Sequence, residues 1–268
     1  MMAKSTIPKR RASHQLLFFF IFTQSYLTQA VGASRGKLYN SFMKPNQKII
    51  SCLVGLGNPG VAYVASRHSA GRAVLLSWAE SPGLATTVSP WRPDLKAKAL
   101  SAEGLIGRPA GQPARRKFRL ILPENFMNNS GSSLKPFLKS KAEIASLLVI
   151  HDDLDLPLGA LKLSFGRGSG GHRGVESIIK ALKTKDFARL RIGIAPQTPS
   201  GKLKRSPIRH RGPDFVIANF KPAEAVIFKK AIKQAKSIID LALSEGLETA
   251  MNFGNRKVEM TKTKKKGK

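Results

Sequence analysis

Cysteine is nearly absent from this sequence, and several common catalytic motifs are missing. Cys52 is the single cysteine among 268 residues, which excludes an internal disulfide. Because it stands in the apolar run Ile49 to Leu56, it indicates a small core residue without a redox role, compatible with a reducing compartment. The chain has no HExxH, paired CxxC or P-loop, and no serine in a G-x-S-x-G elbow. Metalloprotease, zinc-ribbon, nucleotidase and serine-esterase functions therefore lose most of their support.

Acidic residues are scarce as well. Asp and Glu together number 16 against 46 Lys and Arg, so the formal net charge at pH 7 is +30. Solubility alone does not require so large an excess, which favours a polyanionic partner. Nucleic acid is the leading interpretation of this charge. An anionic membrane surface and a plain solvated surface are the alternatives.

The first part of the chain, Met1 to Lys48, has no acidic residue at all. Its Lys and Arg are interspersed with Ser, Thr and an apolar stretch, which is typical of an organelle-targeting presequence. The apolar run Leu16 to Phe22 is shorter than the about 20 residues that a membrane-spanning helix needs, so no transmembrane segment is expected. We predict a mitochondrial location. A secretory signal and a disordered basic arm on a cytoplasmic protein are the alternatives.

Length and composition predict one domain with extensions. A chain of 268 residues with 42% hydrophobic residues can bury one substantial core. We expect this domain to span residues 49–253, between a basic leader, residues 1–48, and a lysine-rich tail, residues 254–268. A basic segment with Pro and Gly, residues 197–213, is interpreted as an insert within the domain.

Predicted strands and helices alternate along the domain. The runs Ile49 to Leu56 and Ser146 to Ile150 are continuous and apolar, which indicates buried strands. Further strands are predicted at Lys96 to Ala102, Lys117 to Leu122, Ala160 to Phe165 and Leu190 to Ala195. Helices are predicted at Arg67 to Glu80, Ser132 to Lys141, Gly174 to Lys183 and Ala223 to Glu245. This alternation predicts the α/β class.

Polar residues stand where the two buried strands end. Asn58 follows the first strand, Asp152 follows the second, and His68 lies on the connection after the first. In open α/β sheets ligands collect at the carboxyl ends of parallel strands. A His oriented by a carboxylate is a general base, and an Asn can polarise a carbonyl or hold a water. By position alone, however, a His at a helix start is more often structural.

Two other patterns have competing interpretations. Gly55, Gly57 and Gly60 satisfy the dinucleotide fingerprint G-x-G-x-x-G, but Pro59 lacks an N–H where a phosphate needs one. A dinucleotide enzyme is therefore a third-ranked hypothesis. Asp153 and Asp155 could chelate Mg²⁺, although capping or solvating a loop is commoner for such residues.

Several blocks, in order along the chain, resemble those of bacterial-type peptidyl-tRNA hydrolases. They are GLGNPGVAYVASRHSAG (Gly55 to Gly71), NFMNNSG (Asn125 to Gly131), HDDLDLPLG (His151 to Gly159), GSGGHRG (Gly168 to Gly174), RLRIGI (Arg189 to Ile194) and DFVIANF (Asp214 to Phe220). Any one block is weak, but six blocks in family order are specific. The resemblance covers residues 49–253.

The resemblance implies a fold, a reaction and a set of site residues. The fold is a single compact α/β domain, with a twisted mixed sheet flanked by helices, that needs no metal or cofactor. The reaction is hydrolysis of the ester between peptide and tRNA in peptidyl-tRNA, which recycles tRNA from aborted translation, and a monomer is expected. By position, the catalytic residues are His68, Asp152, Asn58 and Asn128. The residues that contact the peptide or the tRNA are Tyr63, Met127, Gly171, His172, Arg173 and Arg191.

Two positions depart from the family pattern. Arg173 stands where the family usually has Asn, which puts one substrate hydrogen bond in doubt but offers a guanidinium that could bind phosphate. Ser69 replaces the Asn that usually follows the catalytic His. The alternative function is that of a non-catalytic RNA-binding relative acting in organellar RNA splicing. The intact set of His68, Asp152 and both Asn favours an enzyme.

Overall fold

The computed structural model describes residues 48–83, 86–107, 115–198, 203 and 213–256. Apart from residue 48, the predicted leader lies outside these residues. So do most of the predicted insert and the tail from residue 257. Within the described part, no helix is both long and apolar enough to cross a membrane.

The described part contains one eight-stranded sheet in the order β2-β4-β5-β1-β6-β8-β7, with β3 paired to β4. The strands are β1 (Cys52–Gly55), β2 (Thr86–Val88), β3 (Arg92–Asp94), β4 (Ala99–Ile106), β5 (Arg116–Pro123), β6 (Leu147–Pro157), β7 (Leu161–Phe165) and β8 (Ala188–Ala195). β1 is parallel to β5 and β6, and β6 is parallel to β8, whereas β4 and β7 run antiparallel to their neighbours. The predicted α/β class with a mixed sheet is confirmed.

Helices cover both faces of this sheet. They are α1 (Ala70–Glu80), α2 (Lys141–Ala145), α3 (Arg173–Leu182), α4 (Pro222–Ser244) and α5 (Leu247–Gly254), with 3-10 turns at Val61–Tyr63, Arg67–Ser69 and Met127–Ser133. Buried side chains of α1, α4 and α5 pack on one face, with Trp78 and Ile239 among them. On the other face Val175 and Ile178 of α3 pack against Val149 of β6. The core therefore lies in two layers, one on each side of the sheet.

The helix predicted at Ser132 to Lys141 is wrong. Pro136 lies in its middle, where it removes a backbone donor and disfavours helical geometry in the residue before it. Helix α2 begins instead after Ser140, whose hydroxyl accepts from the N–H of Glu143 at 3.2 Å. The carboxylate of Glu143 accepts in turn from the N–H of Ser140 at 2.8 Å. This capping box sets the helix start.

Two features of the fold bring the predicted site residues together. β1 and β6 are parallel neighbours, with Gly55 opposite Ile150, so Asp152, two residues further along β6, lies beside the loop that follows β1. Helix α1 then packs directly on the backbone of β6 at Gly71. A Cβ at Gly71 would stand 2.0 Å from the carbonyl oxygen of Ile150, so only glycine allows this approach. As a consequence the start of α1 lies beside the middle of β6, next to Asp152.

Candidate active site

Asn58 forms part of the floor of a cleft at the carboxyl end of β1. Its side chain is buried, and its Oδ1 accepts a hydrogen bond from the backbone N–H of Met127 at 2.9 Å. This bond ties the loop after β1 to the 3-10 turn Met127–Ser133. Because the oxygen is used, the amide NH₂ of Asn58 is the group left to donate to a ligand.

His68 and Asp152 form a buried pair beside Asn58. Nδ1 of His68 lies 3.0 Å from both carboxylate oxygens of Asp152, and Asp152 is 2% exposed. A carboxylate only accepts, so Nδ1 of His68 carries the hydrogen and Nε2 has the free lone pair. The pair therefore sets His68 in the tautomer that a general base requires.

A second imidazole shares the same carboxylate. His172 is the N-cap of α3, and its Nδ1 accepts from the backbone N–H of Gly174 at 3.2 Å and of Val175 at 3.3 Å. Its hydrogen is consequently on Nε2, which donates to Oδ1 of Asp152 at 3.0 Å. Both ring nitrogens of His172 are occupied, so it cannot take a proton from water in this arrangement.

His151 supports Asp152 from the backbone side. Its Nδ1–H donates to the carbonyl oxygen of Asp152 at 2.6 Å, and its ring centroid lies 4.7 Å from that of His172. Nε2 of His151 is buried without a hydrogen-bond partner among the described residues. Burial, followed by the proximity of His172, lowers the pKa of His151 to about 3. His151 is therefore neutral at physiological pH.

Asp152 remains ionised despite its burial. Burial alone would raise the pKa of Asp152, but the proximity of His172 and His68 and their hydrogen bonds outweigh it. The pKa of Asp152 consequently lies well below its usual range. The carboxylate is thus a fixed negative charge that stabilises an imidazolium at His68 when that ring takes up a proton.

The same three side chains could be considered as metal ligands, since one ligand atom from each of His68, Asp152 and His172 lies within 4.8 Å of the others. Their hydrogen bonds do not fit that role. Metal binding at Nε2 of His172 would require a bare Nε2 and a hydrogen on Nδ1, yet Nδ1 faces the N–H groups of Gly174 and Val175. The cluster is arranged for proton transfer.

A cleft of about 460 Å³ surrounds these groups. It is lined by Asn58, His68, Phe126, Met127, Asn128, Asp152, Asp153, Leu154, Ser169, Gly170, Gly171, His172, Arg173, Pro213, Val216 and Ile217. All four predicted catalytic residues line it, as do Met127, Gly171, His172 and Arg173 of the predicted substrate contacts. Two of its walls come from the residues that follow β5 and from a helical turn at residues 213–217, and β6 and the loop before α3 contribute further lining residues.

Two predicted contact residues do not line the cleft. The ring of Tyr63 packs edge-on against that of Phe126, 6.3 Å between centroids, and it is Phe126 that reaches the cleft. Arg191 donates from Nε to Oδ2 of Asp153 at 2.6 Å. Oδ1 of Asp153 accepts from the backbone N–H of Asp155 at 2.7 Å, so Asp153 holds a loop and an ion pair, which leaves little for Mg²⁺.

Sequence patterns did not indicate some residues of the site. Phe126, Leu154, Pro213, Val216 and Ile217 are apolar and reach the cleft from three separate segments. The only signal for Phe126, Leu154, Val216 and Ile217 was their place in the family blocks, and Pro213 lies in none of them. Nothing in the spacing of the sequence shows that separate loops converge in this way.

The glycines after β1 do not form a dinucleotide site. The loop Gly57 to Gly60 leads into the 3-10 turn Val61–Tyr63, and the next α-helix begins only at Ala70. A dinucleotide fold needs a helix N-terminus directly after the glycines to receive the pyrophosphate. Glu80 ends α1 rather than a second strand, so it does not take the place of the ribose-binding acidic residue.

Known proteins are similar to this chain in sequence and in fold. The profile of the family described as peptidyl-tRNA hydrolase matches residues 52–265. The chain belongs to the peptidyl-tRNA hydrolase family. A peptidyl-tRNA hydrolase of Mycobacterium tuberculosis is 38% identical over 201 residues, covering 75% of this chain and 94% of the relative. One from Hydrogenobaculum sp. is 37% identical over 210 residues, covering 78% and 99% respectively.

A solved structure of the peptidyl-tRNA hydrolase family agrees with the fold. The crystal structure of peptidyl-tRNA hydrolase from Acinetobacter baumannii has 31% sequence identity and a TM-score of 0.64 to this chain. The similarity covers 79% of this chain and 97% of that structure. The resemblance drawn from six sequence blocks is therefore confirmed at the level of the family and of the fold.

Proposed function

We propose that this chain hydrolyses peptidyl-tRNA at the ester between the peptide and the tRNA 3′ ribose, with His68 as the general base. One observation carries the proposal: Asp152 holds Nδ1–H of His68 at 3.0 Å, which leaves Nε2 free at a cleft. Membership of the peptidyl-tRNA hydrolase family supports the reaction.

The chemistry uses water and needs no other reactant. Nε2 of His68 takes a proton from water while the water oxygen bonds to the ester carbonyl carbon. The amide groups of Asn58 and Asn128 are available to donate to the oxygen that becomes negative. The bond to the ribose oxygen then breaks, and that oxygen receives the proton from His68. Free tRNA and the peptide acid leave.

Replacement of the base tests this proposal. With N-acetyl-aminoacyl-tRNA as substrate, His68→Ala should lower kcat by about 10² to 10⁴ while tRNA binding is kept. Unchanged turnover would contradict the assignment of His68. A wild-type protein that binds tRNA without any turnover would instead support the alternative of a non-catalytic RNA-binding relative acting in organellar splicing.

Asn128 is proposed to contact the substrate carbonyl, and its neighbour Asn129 provides a matched control. Both are exposed and belong to the 3-10 turn Met127–Ser133, but only Asn128 lines the cleft. Asn128→Ala should lower kcat by about 10² to 10³, as expected for loss of an oxyanion donor. Asn129→Ala should leave kcat unchanged. Equal effects of the two substitutions would contradict a catalytic role for Asn128.

Arg173 is proposed to bind a phosphate near the 3′ end of the tRNA. It is exposed, lines the cleft and has no hydrogen-bond or ion-pair partner among the described residues. The acidic residues of the cleft are already engaged, Asp152 by two imidazoles and Asp153 by Arg191. The guanidinium of Arg173 is therefore free for an anion, and the anion closest to the scissile ester is a terminal phosphate.

Two small ester substrates distinguish phosphate binding by Arg173 from contact between Arg173 and the peptide. Arg173→Asn should raise KM about tenfold for an N-acetyl-aminoacyl ester of the trinucleotide CCA, which carries phosphates. It should not change KM for the same ester of adenosine, which has none. Lys180→Asn is the control, because Lys180 is exposed on the same helix but pairs with Glu176. An equal rise with both esters would mean that Arg173 contacts the peptide.

Further residues in and near the cleft are proposed to contact the substrate. Met127, Gly171 and His172 line the cleft and are proposed to contact the peptide or the terminal nucleotide. Tyr63 is proposed to act by supporting Phe126. The side chain of Arg191 is 21% exposed and pairs with Asp153 through Nε, so its terminal NH₂ groups are proposed to contact tRNA.

The cellular location and the oligomeric state of the protein are proposed from its sequence. We propose a mitochondrial enzyme because Met1 to Lys48 is basic, lacks acidic residues and includes a short apolar run. Imaging of a fluorescent fusion to this segment tests the proposal, and a diffuse cytoplasmic signal would contradict it. We also propose that the protein is a monomer, which sedimentation tests. Its proposed role in recycling tRNA from stalled translation is tested by complementation of a hydrolase-deficient strain.

A further inference from the structure

Two arginines flank His68 along the chain. Arg67 precedes it within the 3-10 turn Arg67–Ser69, and Arg72 follows it in the first turn of α1. Their side chains are only 4% and 12% exposed. Charged side chains are seldom so buried unless they are paired. The side chains of Arg67 and Arg72 contact residues that lie 51 to 157 positions later in the chain. These residues adjoin two walls of the cleft.

Arg67 fastens the wall formed by residues 213–217. Its guanidinium donates to the carbonyl oxygens of Phe215 at 3.3 Å and Ala218 at 3.1 Å and pairs with Glu224 at 2.5 Å. Its Cζ also lies 4.4 Å from the ring centroid of Phe215. The backbone adds to this attachment, because the N–H of Arg67 donates to the carbonyl oxygen of Ala218 at 3.1 Å and Ser66 forms a β-bridge with Asn219.

Arg72 fastens the wall formed by the residues that follow β5. Its guanidinium donates to the carbonyl oxygen of Pro123 at 3.1 Å and pairs with the carboxylate of Glu124. Pro123 ends β5, and Glu124 begins the segment that leads to Phe126, Met127 and Asn128, which line the cleft. The backbone N–H of Arg72 also donates to the carbonyl oxygen of Leu56 at 2.8 Å, next to the floor.

We infer that Arg67 and Arg72 are positioning residues that set the two walls of the cleft relative to the base between them. This inference rests on the proposed function. Arg67 holds the wall that carries Pro213, Val216 and Ile217, which offers surface to the substrate without a catalytic group. Arg72 holds the wall that carries Asn128, which acts on the reacting carbonyl. The two arginines therefore affect different kinetic constants.

Neither arginine is placed to bind tRNA itself. Each is buried, and each is neutralised by a carboxylate, Glu224 for Arg67 and Glu124 for Arg72. A guanidinium can bind two carbonyls or a carbonyl and a carboxylate in one plane, which an ammonium cannot reproduce. Lysine at either position keeps the charge but loses this geometry, so it separates positioning from charge.

Kinetics of the two lysine variants test the inference with N-acetyl-aminoacyl-tRNA. Arg67→Lys should raise KM about tenfold with kcat changed by less than about twofold, because substrate contacts are displaced. Arg72→Lys should lower kcat by about tenfold or more with KM nearly unchanged, because a small displacement of Asn128 weakens an interaction made in the transition state. Wild-type turnover and its loss in His68→Ala are measured in parallel, so failure of the proposed function is recognised separately.

Arg116 provides the matched control. It also donates from its guanidinium to backbone carbonyls, those of Leu243 and Ser244, but it joins the start of β5 to the end of α4 away from the cleft. Arg116→Lys should lower the melting temperature without changing KM or kcat. Kinetic changes of equal size in all three variants would overturn the inference, because the effect would then be general destabilisation.

A second variant guards against misfolding. If Arg67→Lys does not fold, the double variant Arg67→Met with Glu224→Gln removes both charges together, so that no buried charge is left unpaired. It should fold and still show the raised KM. A folded double variant with the wild-type KM would overturn the assignment of Arg67, and Arg72→Met with Glu124→Gln provides the same test for kcat.

Discussion

At the scale of single residues, the Asp152 carboxylate determines what each nearby histidine can do. It receives Nδ1–H of His68 and Nε2–H of His172, so one ring exposes a lone pair and the other has none free. The sequence indicated Asn58 and Asp152 by their places after apolar runs, and His68 by its place on the connection after β1. The prediction that the second strand ends before Asp152 is wrong, because β6 continues to Pro157 and Asp152 lies within it. The sequence could not show that His172 shares the carboxylate, because that depends on where the glycine loop brings the start of α3.

The shared carboxylate predicts the effect of Asp152→Asn. An amide replaces one carboxylate oxygen by an NH₂ group that donates, so it can direct a hydrogen at Nδ1 of His68 and stabilise the tautomer that cannot act as the base. We expect kcat to fall by about a thousandfold or more, with the fold retained. Turnover measured beside near-ultraviolet circular dichroism checks this. A variant with more than a tenth of the wild-type kcat would contradict the orienting role.

His151 predicts how stability depends on pH. In the folded protein its pKa is lowered to about 3 from an ordinary value of 6.5. Between these values the unfolded chain binds more protons, so the free energy of unfolding decreases as the pH falls from about 6.5 towards 3. The decrease approaches about 1.4 kcal/mol for each pH unit from this group.

The variant His151→Asn isolates that contribution. Its amide can still donate to the carbonyl of Asp152 but does not titrate. Urea midpoints at pH 7 and at pH 4.5 should therefore differ less for the variant than for the wild type. Equal differences in the two proteins would mean that His151 is protonated in the folded state or that its ring is not buried.

At the scale of elements, the contact between α1 and β6 decides whether the base meets its carboxylate. Gly71 makes this contact, since any side chain there would collide with the carbonyl of Ile150. Gly71→Ala should lower the free energy of unfolding by about 1 to 3 kcal/mol through overpacking. It should also lower kcat by up to about a hundredfold by moving His68 from Asp152. Chemical denaturation and turnover measure the two effects; wild-type values in both would contradict the close approach.

Elements with a buried apolar run or an amphipathic repeat could be predicted from sequence, and elements without one could not. Apolar runs located β1 and the first part of β6, and amphipathic spacing located α1 and α4. The rest of β6 begins with the polar residues His151 to Asp153 and was not predicted as a strand. The three-residue strands β2 and β3 are too short for such a pattern. Helix α2 was misplaced because the capping box of Ser140 and Glu143 outweighs the apolar spacing that precedes it.

At the scale of the whole molecule, the charge of the chain predicts a steep dependence on salt. With a net charge of +30, tRNA is expected to be held largely through its phosphates. Binding should weaken by roughly 0.7 to 0.9 log units per log unit of salt for each phosphate contact. Filter binding across a salt series measures this slope. Arg173→Asn should reduce the slope by roughly 0.7 to 0.9, which is the contribution of one phosphate contact. A slope near zero would contradict binding through the basic surface.

The class of the fold follows from alternating strands and helices, but the order of the strands does not. A buried strand such as β1 has the same sequence pattern whichever neighbours it has. Only the resemblance to a family indicated a mixed sheet. The cleft is less predictable still, since its walls come from residues 126–128 and 213–217, which no local pattern connects.

The attachment of Arg67 to residues 215–224 also has a consequence for the order in which the enzyme is made. The base and its carboxylate are synthesised before this wall, since residues 68 and 152 precede residues 213–224 in the chain. A chain made only as far as α3 already contains His68, Asp152 and Asn58, but the guanidinium of Arg67 has neither Glu224 nor the carbonyls of Phe215 and Ala218 as partners. Burial of Arg67 without these partners is costly, so the packing in front of α1 is completed only when the later residues have been made.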